Sequence, residues 1–364
     1  MSNQSSVFGN EQSAVKIDGS IGEGGGQVLR SALTLSSLTG RPVEIFNIRA
    51  MRPNPGLQPQ HLMAVQAAAA ICQARVEGAK LGSWTLRFWP QSPPTSGTYT
   101  FDVAEIAGRG SAGAVGLIFQ TVFLPLALAS GDSQLTLRGG THVPWAPSVD
   151  YLKEVFLPTV AQMGLRAEMS LVSCGLYPAG GGEVRVRIRG NPGTPAPIAL
   201  TDRGDVRRVW GQGVVSNLPA HIPQRMVDQA HKLLTRAGLK ANLQPLVMCG
   251  AGPGAGIFLF VQYEYARAGF TAYGRKGLPA DQVAQMACQD LLAHHETGAP
   301  VDPHLADQLL LPMALAAGTS RLFTSAVTRH LLTNIAVVQA FLPVQIAVDG
   351  EEGKPGTVTV IPAS

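Results

Sequence analysis

Cysteine is scarce in this chain, and its spacing excludes more than its number. Cys72, Cys174, Cys249 and Cys288 show no metal-ligand spacing and no disulfide framework, which points to reduced thiols and a cytoplasmic setting. Long apolar runs are missing too. The longest, residues 115–129, is too short to span a bilayer and is interrupted by Gln120 and Pro125. The tail at residues 1–14, MSNQSSVFGNEQSA, is polar, so no signal peptide is visible. No large charge excess exists either: a net +4 over 364 residues tilts the protein toward anionic partners without specifying one. Arg185, Arg187, Arg189, Arg203, Arg207 and Arg208 read as a solvated strand edge. What is present is enough apolar content for two ordinary domains or one large body built from repeats.

The repeats are visible. ALTLSSLTGRPVEIFNIRAMR (32–52) overlays LPLALASGDSQLTLRGGTHV (124–143) and LPMALAAGTSRLFTSAVTRH (311–330) with glycines in register. Each copy reads as an apolar helix ended by a glycine (Gly40, Gly131, Gly318), an alternating strand and a second helix, starting near Leu62, Tyr151 and Leu331. A unit of this kind cannot bury its faces alone, so three should pack around a common axis. Residues 191–275 fit neither the spacing nor the composition and read as an inserted small α/β domain. Its VRRVWGQGVVSN and IFLFVQYEYA are strand-like, and IPQRMVDQAHKLLTRAG forms an amphipathic helix closed by Gly238. GAGPGAG (250–256) leads into a strand rather than a helix, which argues for a hairpin turn over a phosphate loop. The expected layout is a flexible tail at 1–14, a repeat-built catalytic domain at 15–190 and 276–364, and the insertion between.

Four places concentrate polar groups. IGEGGGQVLRS (21–31) is a glycine-rich turn of the sort that cradles phosphate, yet it carries a carboxylate, Glu23, that would repel one unless a cation lies between. It reads either as a metal-binding carboxylate with a phosphate-binding Arg30, or as a turn capping a helix. IRAMRPNPGLQPQHL places Arg49, Arg52, Gln60 and His61 around a proline-glycine turn: two arginines able to grip a phosphate, or solvated loop residues, with His61 a helix-start residue. HLADQLLLPMALA begins a helix with His304, Asp307 and Gln308, either dipole complements or a carboxylate for a ribose and a ring for a base. SAVTRHLLTNIAVV places His330 where a strand gives way to a helix. It is a structural histidine, or a neutral imidazole whose lone pair attacks phosphorus while the helix amides attract phosphate oxygens.

Taken with DGSIGEGGGQVLRSALTLS, GSAGAVGLIFQTVFLPLALASG, GGTHVPWAPS, YPAGGGEV and HLLTNIAVVQAFLP, these blocks resemble the RNA 3'-terminal phosphate cyclases over most of the chain outside the insertion. The resemblance implies an α+β fold of repeated βαβαββ-like units, similar to the C-terminal domain of translation initiation factor three, with a small inserted α/β domain. It implies an ATP-dependent reaction in three steps. The histidine of HLLTN, here His330, attacks the α-phosphorus of ATP. The adenylate passes to an RNA 3'-phosphate, and the neighbouring 2'-hydroxyl displaces AMP to close a 2',3'-cyclic phosphate.

By the same resemblance, Gln120, Pro147, His304, Leu305, Ala306, Asp307 and Gln308 bind ATP. Arg30, Arg49, Arg52, Gln60 and His61 hold phosphates or the RNA end, and Glu23 holds Mg2+ or Mn2+. The partners implied are ATP and RNA with a 3'-phosphate, without a membrane or an obligate protein partner. One departure stands out: bacterial relatives carry tyrosine ahead of LADQ, where this chain has His304. The alternative is the family's non-catalytic branch, RNA-binding proteins of ribosomal RNA processing that lack the nucleophilic histidine; His330 argues against it. An enolpyruvyl transferase would share the repeat-built style, but its motifs are not apparent.

Overall fold

The computed structural model describes residues 13–107 and 112–362. Most of the expected tail, residues 1–12, lies outside the described residues. Among those described, no helix is long and apolar enough to cross a membrane.

The fold is mixed α+β, with four small mixed sheets. The first unit runs β1 (Val15–Asp18), α1 (Gly26–Thr39), β2 (Val43–Phe46), α2 (Pro59–Cys72), β3 (Arg75–Glu77) and β4 (Leu86–Trp89). β1 pairs parallel with β2, and β4 lies antiparallel between β2 and β3, giving the order β1-β2-β4-β3. The second unit repeats this topology. Its elements are β5 (Thr98–Asp102), a helical turn α3 (Ala104–Ala107), α4 (Val115–Ala127) and β6 (Ser133–Gly139). A helix in three pieces follows: α5 (Val149–Tyr151), a π-helical turn (Leu152–Phe156) and α6 (Leu157–Ala161). The unit closes with β7 (Arg166–Ser173) and β8 (Gly182–Arg189), in the order β5-β6-β8-β7.

Period-two alternation makes β8 legible: Val184, Val186 and Ile188 point into the core while Arg185, Arg187 and Arg189 face water. β8 is an inner strand of its sheet, so these arginines line an exposed face rather than an edge, paired with Glu183, Asp132 and Glu168.

The third unit opens with a two-residue strand, β9 (Ala199–Leu200), and is interrupted. The interruption holds β10 (Val206–Ser216), α7 (His221–Arg236), β11 (Ala241–Val247), β12 (Gly254–Tyr263), β13 (Arg267–Tyr273) and α8 (Ala280–Glu296). The unit resumes with α9 (Pro303–Ala314), β14 (Ser320–Thr324), α10 (Arg329–Phe341), β15 (Gln345–Asp349) and β16 (Gly356–Ile361). Its sheet, read β9-β14-β16-β15, has the same parallel and antiparallel pairing as the other two.

Packing divides the chain near 200 and 300 rather than at 191 and 275. β9 pairs with β14 of the third unit, while α8 packs on β12, β13 and α7 and shares a core with them through Val283, Ala287 and Leu291. The expected hairpin at residues 250–256 is instead part of a crossover, because β11 and β12 lie on opposite sides of β10. Gly40 caps α1 in the left-handed region, but α4 and α9 end at Leu128 and Leu315, leaving Gly131 and Gly318 in the turns beyond.

A single core joins the three units. α1 packs on α2, α4 and α10, and α9 packs on α10, with Phe119, Phe123 and Phe156 in mutual ring contact among them. Burying each of these rings contributes about 1.5–3 kcal/mol. This central layer sets the N-termini of α1, α9 and α10 around one cleft.

Candidate active site

The turn between β1 and α1 is held from both sides. Asp18 accepts hydrogen bonds from the Ser20 N–H (2.9 Å), the Ser20 hydroxyl (2.7 Å) and Asn47 Nδ2 (3.2 Å), an Asx-type brace. Gly22 has φ +58°, and a Cβ there would run into the Thr333 hydroxyl of α10. The absent side chain lets the turn close on α10, where Thr333 Oγ1 accepts the Glu23 N–H (3.3 Å).

This contact delivers Glu23 to His330. Glu23 Oε2 lies 3.0 Å from His330 Nε2 and 3.1 Å from Arg52 Nη2. The cation expected beside the carboxylate is, in the protein itself, Arg52. His330 occupies the first turn of α10, whose N-cap Thr328 accepts the Leu331 N–H. On the ring's other side, Nδ1 is 2.7 Å from Gln27 Oε1, and Gln27 donates its amide N–H to Asp307 Oδ2 at 2.6 Å. The carboxylate fixes the amide, and the amide carbonyl accepts the proton at Nδ1. With Nδ1 donating to Gln27, Nε2 faces the Glu23 carboxylate, which favours a proton there too; Nε2 offers its lone pair to a substrate when the ring is neutral and Glu23 turns aside.

Burial pushes the His330 pKa below its usual value; Glu23 pulls upward, and Arg30, His304 and Arg52 push further down. The Asp307 carboxyl is raised to about 6, chiefly by burial and against the pull of His304, Gln27 and Arg30. It is ionised at neutral pH and able to hold Gln27.

Behind this line lies a cavity of about 60 Å³ between α1, α4, α9 and α10, lined by Gln27, Arg30, Gln120, Asp307 and Gln308 on its polar side and Phe123 and Phe156 on its apolar side. Burial lowers the Arg30 pKa to about 10. Among the described residues, Arg30 makes no ion pair within 4 Å. Gln308 Oε1 is buried without a hydrogen-bond partner. An unmatched guanidinium and an unmatched amide oxygen in one cleft suit a ligand carrying both an anion and a hydrogen-bond donor.

Other expected residues hold the walls. His61 is buried at the start of α2, where its Nδ1 accepts the Gln58 N–H (3.2 Å) and its Nε2 is directed at Gly26. Burial, then Arg49 and Arg30, lower its pKa to about 3, so it remains neutral. Gln60 Oε1 accepts the Ala114 N–H, tying α2 to the start of α4. Arg49, with φ +54°, donates to the Asn54 and Gly56 carbonyls of its own loop.

Leu305 and Ala306 turn into the core, and their N–H groups are taken by Asp302, so neither side chain faces the cleft. His304 is exposed at the start of α9, where its carbonyl accepts a hydrogen bond from Gln308 Nε2 (2.9 Å). Pro147 lies apart from the cavity, against Gly116 at the start of α4.

Sequence reasoning passed over Gln27, Ser31, Thr333 and Asn334. Ser31 donates to Asn334 Oδ1 (2.6 Å), and Asn334 donates to the Asp307 carbonyl (3.0 Å), locking α1, α9 and α10 together. Their signal was polar residues at 27, 31 and 34 on the buried face of α1, and Asn334 one turn after His330. Among the described residues, no group of three or more metal-ligating side chains gathers.

The family model described as RNA 3'-terminal phosphate cyclase matches residues 21–348. The chain belongs to the RNA 3'-terminal phosphate cyclase family. Relatives bearing that name include one from Methylococcus capsulatus, 52% identical over 90% of this chain and 91% of its own length. One from Trichormus variabilis is 51% identical over 90% and 94%. One from Desulfurococcus amylolyticus is 41% identical over 96% and 98%. Among solved structures, the enolpyruvyl transferase NikO from Streptomyces tendae aligns with a TM-score of 0.41 at 11% identity, covering 98% of this chain and 50% of that one. A similarity that low adds nothing to the cyclase assignment.

Proposed function

We propose that the protein is an ATP-dependent RNA 3'-terminal phosphate cyclase in which His330 Nε2 is the nucleophile, on a scaffold of units like the C-terminal domain of translation initiation factor three. The observation that carries this reading is the chain from Asp307 through Gln27 to His330 Nδ1, which holds the Nδ1 proton and leaves Nε2, facing Glu23 Oε2 at 3.0 Å, as the nitrogen freed for attack when Glu23 turns to a cation. Nε2 attacks the α-phosphorus of ATP, a P–N bond forms, and the bond to the β-phosphate oxygen breaks to release pyrophosphate. Arg30 and Arg52 neutralise the charge that leaves. An oxygen of the RNA 3'-phosphate then attacks the same phosphorus and the P–N bond breaks. The 2'-hydroxyl next attacks the 3'-phosphorus, loses its proton, and expels AMP to close the ring.

A divalent cation fits this cleft only in part, since Glu23 already shares Oε2 with Arg52 and His330, and the cleft's other carboxylate, Asp307, is held by Gln27. Sites that bind a cation mainly through substrate phosphates need no more than one or two carboxylates. Glu23 would hold it, and the cation would neutralise triphosphate charge. Asp307 and Gln308 would meet the nucleoside, with His304 at the mouth.

ATP labelled at its α-phosphate should leave an acid-labile, base-stable label on the protein, and His330→Ala should abolish it. An RNA 3'-phosphate should become phosphatase-resistant. A wild-type protein that takes up no label with magnesium or manganese present would move the assignment to the RNA-binding branch.

A further inference from the structure

Trp145 combines two properties that rarely meet: it is 91% exposed, and its backbone has φ +62°. A bulky aromatic in the left-handed region is an outlier, and such outliers persist only where the surroundings impose them. Here they do. The loop from 140 to 148 is braced on both flanks: the Thr141 and His142 N–H groups bond to the Gly175 carbonyl, and the His142 carbonyl accepts the Tyr177 N–H. Val143 is buried against Ala114 and Leu117, with Ala146 beside them. A well-anchored loop thus holds an indole out in water, where it adds nothing to the core. Tyr177, 53% exposed, stands on the strand-side loop that Trp145's own loop is bonded to.

The same loop packs against the helix that carries a cavity residue. Pro147, two residues on, meets Gly116 at the start of α4; Ala114 just before that helix donates to Gln60; and the neighbouring His61 is directed at Gly26, where α1 begins. Gln120, one turn after Gly116 on α4, lines the cavity, so the Trp145 loop packs one helical turn from a cavity residue.

We infer that Trp145, seconded by Tyr177, is a stacking platform for bases of the RNA strand behind its 3'-phosphorylated end. This rests on the function proposed above. A substrate that presents its terminus to His330 must lead the rest of its chain out of the cleft. Ring stacking suits a strand of any sequence, because every base has a π-face. Among the described residues Trp145 is the most exposed aromatic, at 91% against 49% for the next tryptophan, Trp84.

The test compares RNAs of two and eight nucleotides ending in 3'-phosphate, measuring kcat/KM for cyclisation by the full chain. Wild type should favour the longer RNA by roughly tenfold or more, the scale of one stacked base. Trp145→Ala should bring that ratio toward one, and Trp145→Phe should keep most of it. A wild type without length preference, or a Trp145→Ala variant that retains the full ratio, overturns the inference. So does a Trp145→Ala variant needing more ATP for self-labelling, since the ring would then serve the nucleotide. A wild type that neither labels nor cyclises defeats the proposed function instead, so the two failures are distinguishable.

Discussion

At the scale of single residues, the nitrogen proposed to react is set by a side chain outside the proposed reaction, Gln27. Gln27 can accept from His330 Nδ1 only while its amide nitrogen is held by Asp307. Gln27→Ala should leave the imidazole free to take either tautomer and to turn. Self-adenylation measured in a single turnover should fall about 10- to 100-fold, the usual cost of losing a group that orients a reactive histidine. Apparent ATP affinity should change much less, and a loss confined to ATP binding would count against the orienting role. Glu23, Arg30, Arg52 and His330 were legible because charged residues in glycine-rich or proline-rich surroundings are conspicuous. Gln27 and Asn334 were not, since an amide in an amphipathic helix shows its purpose only when its partner, on a helix about 300 residues away, is in place.

At the scale of elements, the site depends on how closely the β1–α1 turn approaches α10. Gly22 and Gly82 both have positive φ, but a Cβ at Gly22 meets the Thr333 side chain while one at Gly82 has nothing within 4 Å. Gly82→Ala should therefore cost about 1 kcal/mol, the strain of the left-handed backbone alone. Gly22→Ala should cost about 2–4 kcal/mol, because the turn must also withdraw from α10. Urea denaturation of the two variants checks the difference, and equal costs would mean the turn-to-helix contact contributes little. The repeats were readable in the chain because each unit carries its own period-two and helical patterns. The limits of the insertion were not. α8 has the apolar spacing of any packed helix, and nothing local says that its face belongs to β12 and β13 rather than to the third unit. β9 is two residues long, too short for a pattern. The crossover at residues 250–256 looked like a hairpin because strand order is not a local property.

At the scale of the whole molecule, three buried histidines give stability a maximum in pH. His61 and His294 are held neutral, each lowered to about 3 by burial first and then by nearby cations. Their unfolded pKa is near 6.5, so below that pH the unfolded chain binds protons that the native protein refuses. Stability then falls by about 1.4 kcal/mol per histidine for each pH unit between 6.5 and 3. His142 works in the opposite direction. Burial opposes its charge, but Asp150 at 2.6 Å and Cys174 at 3.7 Å prevail, and its pKa is raised to about 9. Its contribution is complete below pH 6.5 and is lost as pH rises toward 9. The His142 ring also meets Phe258 of β12, in the insertion, edge-on. The melting temperature should therefore peak near pH 6.5 to 7 and decline on both sides, more steeply in acid, where two histidines act together. Asp150→Asn should flatten the alkaline limb while leaving the acid limb in place. A melting temperature that climbs steadily from pH 7 to 9 would show that His142 is neutral in the native protein.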